Sequence, residues 1–361
     1  MAFFYRALAT GLVLLGGAAP GNAADGNAAA ENSGSGLQVQ IFVENDKWNR
    51  TDRHYTNGLK VGFGVEREAL PLVRVFDGPI EDICDSSRRH YGAFIGQNMY
   101  TPKNISDPAP QLLDRPWAGW TYVGLVGQCV AKGTEKSRTH DVLHTLEIDV
   151  GMVGPDSRAD DVQVWWHRLI DSPRPEGWAN QLPNEIAFVA SYFQKRRYVL
   201  TGGEVGLDVI PHFGVSLGTV TTFARAGGMV RYGFNKTGFG PDTIEPGGAM
   251  LQSARSRDEE GASRKKCDLL AFKGLGCEWY VFGGLDARLV GYNIFLDGTV
   301  FKDSPSVDRR PFVYDVLFGL SVRAGALRAS VTRVMRSEEF KTARGGGGRQ
   351  GFHSINFGFE F

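Results

Sequence analysis

The sequence predicts an all-β fold: a twelve-stranded antiparallel transmembrane β-barrel of the outer-membrane type, with one short helix in an extracellular loop. Three observations carry this expectation. Apolar and mostly polar residues alternate with period two in segment after segment, as in Leu37, Val39, Ile41 and Val43 against a face that is polar except for Phe42: Gln38, Gln40, Phe42 and Glu44. The alternating segments run to ten residues or more, the length a tilted strand needs to cross a bilayer, and their number is even. Finally, the chain opens on an apolar leader and contains no later run of 18 uninterrupted apolar residues, so no membrane-spanning helix is expected.

Composition agrees. Gly supplies 47 of 361 residues and Phe 23, a mixture of turn and strand formers. Forty basic residues balance forty acidic ones. No global field therefore points to nucleic acid as a partner.

From the N-terminus, Arg6 precedes the apolar run Ala7–Ala19, which ends in Pro20 and the small residues Gly21 to Ala24. This reads as a cleaved signal peptide over 1–24. Residues 25–36 read as an Ala/Gly/Ser/Asn spacer, and the barrel occupies 37–361 as a single domain. Strands are expected at 37–46, 57–68, 91–101, 118–132, 140–154, 184–200, 204–217, 219–234, 277–297, 311–324, 326–338 and 351–361. Phe361 closes the last one, like the C-terminal signal of outer-membrane barrels. With a periplasmic N-terminus, 47–56, 102–117, 155–183, 298–310 and 339–350 fall outside the cell. Segments 69–90 and 235–276 fall in the periplasm, where turns are normally short. Export permits disulfides. Of the three connectivities open to four cysteines, the topology favours Cys84–Cys129 with Cys267–Cys277.

Two clusters of polar residues lie at the extracellular rim. Glu44-Asn45-Asp46 ends the first strand, and Tyr55-Thr56-Asn57-Gly58 opens the second. Asn45 and Asp46 offer adjacent amide and carboxylate oxygens suited to a hard cation such as calcium, or equally to a turn. The third external loop carries a helical pattern: Asp160, Gln163 and His167 form one polar stripe, while Val162, Trp166, Leu169 and Ile170 fall on another side. Asp156 or Ser157 is expected to cap it, and Pro173 with Pro175 to prevent its continuation. Such a helix can cover a cleft against the barrel wall, where an imidazole can take a proton from water and Gln163 can orient it.

Several separated motifs together resemble the outer-membrane lipid A 3′-O-deacylase family. They are Asn45-Asp46, Tyr55-Thr56-Asn57-Gly58, Gly96-Gln97-Asn98-Met99-Tyr100-Thr101-Pro102, Asp114-Arg115-Pro116-Trp117-Ala118-Gly119-Trp120, and Gly151 to Pro155 followed by Gln163 and His167. Gly177-Trp178, Gln181-Leu182 and Asn293 to Gly298 continue the match in order. The resemblance implies a twelve-stranded barrel in the bacterial outer membrane, acting on lipid A or lipopolysaccharide of the outer leaflet. It implies hydrolysis of the 3′-linked acyl ester with a Ca2+ cofactor. His167 would be the general base, with Gln163 beside it, and Asn45, Asp46 and Thr56 would complete a calcium-dependent catalytic site in which Asn45 and Asp46 hold the metal. For the substrate head group the sequence offers Lys103, Arg115 and inward-facing Lys60, with Arg53, Arg158 and Arg168 as further external cations. A monomer is expected.

Two other readings compete. A non-catalytic pore or structural barrel would use the same strands and predicts an open lumen with scattered rim residues. A soluble periplasmic β-protein fits the leader but not the apolar faces. The chain has no G-x-S-x-G elbow, which weighs against a serine esterase.

Overall fold

The computed structural model describes residues 37–47, 53–65, 75–84, 89–135, 138–202, 205–244, 277–341 and 348–360. The leader, the spacer and Phe361 lie outside these residues. The described residues belong to one compact unit, Gly34–Phe361.

Twelve antiparallel strands close into a barrel: β1 Gln38–Asn45, β2 His54–Val65, β3 Arg89–Thr101, β4 Ala118–Glu135, β5 Arg138–Val153, β6 Glu185–Val199, β7 Val205–Gly218, β8 Thr221–Phe234, β9 Cys277–Asn293, β11 Phe312–Ala324, β12 Leu327–Arg336 and β14 Gln350–Glu360. Two-residue strands β10 (Asp308–Arg309) and β13 (Phe340–Lys341) pair outside the wall's order. β1 pairs with both β2 and β14, so the sheet has no open edge.

The side-chain distribution is inside out. Phe63, Ile95, Val123, Phe188, Leu217, Leu289, Phe318 and Phe357 are exposed, whereas Gln40, Glu44, Lys60, Glu147, Asp208, Arg231 and Arg336 are buried. A soluble sandwich would bury the first group. Lipid is the solvent that rewards this arrangement.

Many interior charges meet an opposite charge, because an unpaired buried charge is strongly unfavourable. Lys60 meets Glu147 at 2.9 Å, Arg231 and Arg197 share Asp208, and Arg336 and Arg288 share Asp315. A hydrophobic layer of Phe42, Tyr55, Tyr100, Trp120, Phe295 and Phe352 fills the extracellular half.

Two long connections at the end carrying the termini have definite structure, each departing from a simple periplasmic excursion. Segment 69–90 forms helix α1, Asp77–Ile83. Phe76 and Ile80 pack it on the outer wall against Tyr91 and Cys129, and the Cys84–Cys129 disulfide fixes its end to β4. Of segment 235–276, the described residues 235–244 lie inside the barrel rather than in the periplasm. They rise through the lumen: Thr237 donates to Glu278, Phe239 packs on Met229 and Tyr280, Lys195 holds Asp242 at 2.7 Å, and the Ile244 N–H donates to Glu44 at 3.0 Å. Residues 245–276 lie outside the described set. Cys277 is disulfide-bonded as well, and its expected partner Cys267 lies among those residues.

The ninth strand ends at Asn293, four residues short of the expected 297. Asn293 Oδ1 accepts the Phe295 N–H and Asp297 Oδ2 accepts the Asn293 N–H, curling 294–297 into helix α3, Ile294–Asp297.

Candidate active site

β2 starts at His54, so Tyr55 and Thr56 belong to the wall rather than to the loop. A bulge between Tyr55 and Asn57 leaves Thr56 as the extra residue opposite β3. Both side chains are consequently buried. The Tyr55 hydroxyl donates to Glu44 at 2.7 Å and accepts from the Asn98 amide at 2.9 Å, while Thr56 Oγ1 lies 2.7 Å from Thr101 Oγ1. His54 adopts φ 66°, a left-handed conformation uncommon outside Gly and Asn, directly before the bulge.

Asn45, Asp46 and Thr56 come together at the junction of β1 and β2. The Asp46 N–H donates to the Thr56 carbonyl at 3.4 Å, Asp46 Oδ2 accepts the Arg53 N–H at 2.9 Å, and Asn45 Oδ1 accepts the Lys47 N–H at 2.7 Å. Asp46 is fully buried. All side-chain donors in this set are hard oxygens, which fits calcium and not a soft metal. Among the described residues no group of three or more His, Cys, Asp or Glu is placed to hold a metal ion by itself. A calcium ion here would therefore have Asp46 as its carboxylate, with Asn45 and Thr56 adding neutral oxygens.

Helix α2, Ala159–Leu169, lies on the outer wall, starting over β4 and reaching β3. Its N-cap is neither Asp156 nor Ser157. Gly154 at φ 95° and a 3-10 turn over Pro155–Ser157 deliver the chain to Arg158, whose φ of 58° starts the helix without a side-chain cap bond. Ser157, one residue before the cap, still serves the first turn: its Oγ accepts the Ala159 N–H at 3.4 Å, while its carbonyl accepts from Gln97 and Thr121 of the wall, at 2.8 and 2.6 Å. Gly119 of β4 makes the seat. A Cβ there would stand 2.2 Å from Ala159 Cβ and 2.3 Å from Ser157 Oγ, so only Gly permits this approach.

The helix buries Ala159, Gln163 and His167 and exposes Trp165, Trp166 and Leu169. The polar stripe thus faces the wall and the aromatic face looks outward, as interfacial Trp does in membranes. Trp178 Nε1–H donates to Gln163 Oε1 at 2.7 Å, fixing which way the amide points. His167 Nδ1 lies 2.6 Å from the Pro173 carbonyl. A carbonyl only accepts, so Nδ1 carries the proton and Nε2 holds the lone pair. Beneath them Met99, Ile105, Trp117, Ala159 and Trp178 form an apolar cluster. Gly177 lets the Trp117 indole come within 2.6 Å of where a Cβ would be.

One row of the sheet ties the two clusters together. Asn45 pairs with Asn57, Asn57 with Met99, and Met99 with Gly119 under the helix. Three strand spacings, about 14 Å, separate its ends.

Of the expected head-group residues, Lys103 is exposed, its N–H bound to Asp114. Arg115 and Lys60 are not placed to meet a lipid. Arg115 is fully buried, paired with Glu339 at 3.2 Å and stacked over Tyr100. Lys60 is buried against Glu147 and the Phe94 ring, 3.6 Å away. Each neutralises an interior carboxylate, a role that sequence position alone does not distinguish from phosphate binding. Arg158 is exposed beside Asp161 at 3.3 Å, and Arg168 is exposed. Sequence reasoning missed two supports, Trp178 beneath Gln163 and Glu44 beneath Asn45. A carboxylate closing an inward column that is otherwise Gln38, Gln40 and Phe42 was the available signal for the second.

The family model for outer membrane protein LpxR matches residues 10–361. Among solved structures, LpxR from Salmonella typhimurium superposes with a TM-score of 0.67 at 18% identity, covering 90% of this chain and 100% of that one. The β-domain of the Bordetella autotransporter BrkA has a TM-score of 0.42 at 10% identity, covering 90% and 99% of the two chains, and the KdgM porin one of 0.38 at 6%, with the same coverage. A search of curated protein sequences returns no match. The motifs spread from Asn45 to Gly298, the closed twelve-stranded barrel and the matched family model agree: this chain belongs to the LpxR family of outer membrane proteins.

Proposed function

We propose that the protein hydrolyses the 3′-linked acyl ester of lipid A in the outer leaflet of the outer membrane, with water activated by His167 as the nucleophile. The observation that carries this reading is the placement of His167: buried on the wall side of a helix at the membrane rim, with Nδ1–H committed to the Pro173 carbonyl. That leaves Nε2 as the basic atom. In the proposed reaction Nε2 takes a proton from water as the oxygen attacks the ester carbonyl. The bond from the acyl carbon to the 3′ oxygen then breaks, and the imidazolium returns the proton to the departing sugar oxygen, giving a free fatty acid and a 3′ hydroxyl. Gln163, held by Trp178, stands one helical turn from His167 on the same face and orients the reacting groups.

Asn45, Asp46 and Thr56 would hold calcium, which would supply polarisation of the ester carbonyl and stabilisation of the charge developing on its oxygen. No covalent acyl-enzyme is needed. Exposed Lys103 is the head-group contact we retain from the sequence reading. The test is mass spectrometry of lipid A from cells expressing the wild type or His167→Ala, with calcium supplied. Loss of one acyl chain only with the wild type is expected. An unchanged acylation pattern with a folded wild type would remove the hydrolase reading.

A further inference from the structure

The row through Asn45 continues in the other direction, across β14 to His353 and across β12 to Arg333. Both residues stand on the outer side of the wall. On β12 the outward column is Leu327, Ala329, Val331, Arg333 and Met335, of which Leu327, Val331 and Met335 are exposed. Arg333 therefore interrupts a lipid-facing surface, with an exposed Met still beyond it toward the extracellular end. A cation there is unfavourable against hydrocarbon and calls for an anion.

The buried arginines Arg115, Arg231 and Arg336 each hold a carboxylate. Among the described residues no carboxylate pairs with Arg333. Its Nη1 lies 3.5 Å from His353 Nδ1, and its Nη2 lies over Gly351, 2.8 Å from where a Cβ would be. Gly351 thus gives the guanidinium a flat bed on the wall, with its other face turned toward lipid. Two strand spacings, about 10 Å, separate Arg333 from Asn45.

We propose that Arg333, with His353 beside it, binds a phosphate monoester on the head group of the substrate lipid. The planar guanidinium offers the paired donors that a phosphate accepts. Anchored there, the head group lies along the row, with its acyl ester directed toward Asn45 and α2. This second part rests on the hydrolase reading above; the anion site itself does not.

The test separates the two. Purified wild type, R333Q and R333K in detergent are titrated by native mass spectrometry with lipid A, with lipid A stripped of its phosphates, and with phosphatidylglycerol, and ester release is followed in parallel. Wild type is expected to bind phosphorylated lipid A at least tenfold more tightly than the stripped form, R333Q to bind both alike, and R333K to keep part of the preference. Because the side chain faces outward, R333Q should retain the heat-modifiable gel mobility of a folded barrel. Should it misfold, G351A, which crowds the guanidinium off the wall, must show the reduced preference instead. Unchanged binding by folded R333Q, or by G351A in its place, overturns the proposal. So does a wild type indifferent to the phosphates, or phosphatidylglycerol competing as well as lipid A. Phosphate-dependent binding lost in R333Q, with no ester release by wild type, would sink the hydrolase reading and leave the anion site standing.

Discussion

Replacing Gly119 by Ala tests whether the seat of helix α2 sets the rate. The added Cβ would start 2.2 Å from Ala159 Cβ and 2.3 Å from Ser157 Oγ. Carbon atoms in contact sit about 3.5 to 4.0 Å apart, so the start of the helix must lift by roughly 1.5 Å. The wall cannot give way instead, because Gly119 lies between the β3 and β5 ladders. Overpacking of this kind costs about 1–3 kcal/mol, borne by the helix rather than by the barrel. Misplacing a catalytic group by about 1 Å can reduce rate on the order of 10²-fold, equivalent to about 2.7 kcal/mol of barrier. In single-turnover release of fatty acid from lipid A in calcium-containing micelles, G119A should therefore be slowed on the order of a hundredfold while retaining folded gel mobility. G119A/A159G removes the nearest clash and leaves Ser157 Oγ, which can rotate away because its Cβ is at 3.4 Å. It should recover to within about tenfold of wild type, given the contact distances above. A folded G119A with wild-type turnover, or a loss that A159G does not relieve, refutes the idea that this contact positions His167.

Trp178→Phe keeps the apolar cluster but deprives Gln163 Oε1 of its donor; leaving a buried acceptor unsatisfied costs about 1–3 kcal/mol, and turnover should fall roughly tenfold or more in the same assay. Lys60→Met leaves Glu147 in the lumen without its 2.9 Å partner. Breaking a buried pair on one side costs about 3–5 kcal/mol, so the urea midpoint in vesicles should drop, and K60M/E147Q should restore most of it; an unchanged midpoint in K60M would show that the pair is not fully desolvated. Chelation of calcium should bring ester release to background and re-addition should restore it, while Asp46→Asn should raise the calcium concentration needed by at least about tenfold, for loss of the only carboxylate in the donor set. Wild-type calcium dependence in D46N would exclude Asp46 as a ligand.

The barrel was legible because its signal is strictly local. Period-two alternation such as Leu59, Val61, Phe63 and Val65 states both that a strand forms and which face meets lipid, and the observed bounds of β4, β6 and β7 fall within a few residues of expectation. The ends were less legible because they depend on contacts distant in sequence. The Tyr55–Asn57 bulge draws Thr56 into the wall through Thr101, 45 residues away, and Arg115 owes its burial to Glu339, 224 residues away. The start of α2 only partly followed the capping preference: Arg158 takes the cap position, Ser157 Oγ accepts the Ala159 N–H from one residue earlier, and the Ser157 carbonyl is held by β3 and β4. The polar stripe of Gln163 and His167 was visible in the sequence. That it faces the wall, and not water, is a consequence of having lipid outside.

The same inversion bears on the barrel's two rival uses. A pore needs a continuous polar passage, and its rim residues need no common geometry. Here the lumen is occupied from the periplasmic end by residues 235–244, which reach Glu44, and its extracellular half is packed by Phe42, Tyr55, Trp120 and Phe295. Among the described residues these contacts fill space that an open pore would leave to water. Filling the interior also has a consequence for the outside. Glu44 receives the Ile244 N–H on one oxygen and the Tyr55 hydroxyl on the other, and its own carbonyl accepts from the Asn57 amide. The residues flanking Asn45, Asp46 and Thr56 are thereby clamped from within. Strands that are thin by themselves acquire a solid backing where oxygen donors must be held in place. A barrel that transported solute would gain nothing from such a backing; the hydrolysis proposed for its outer surface would need it.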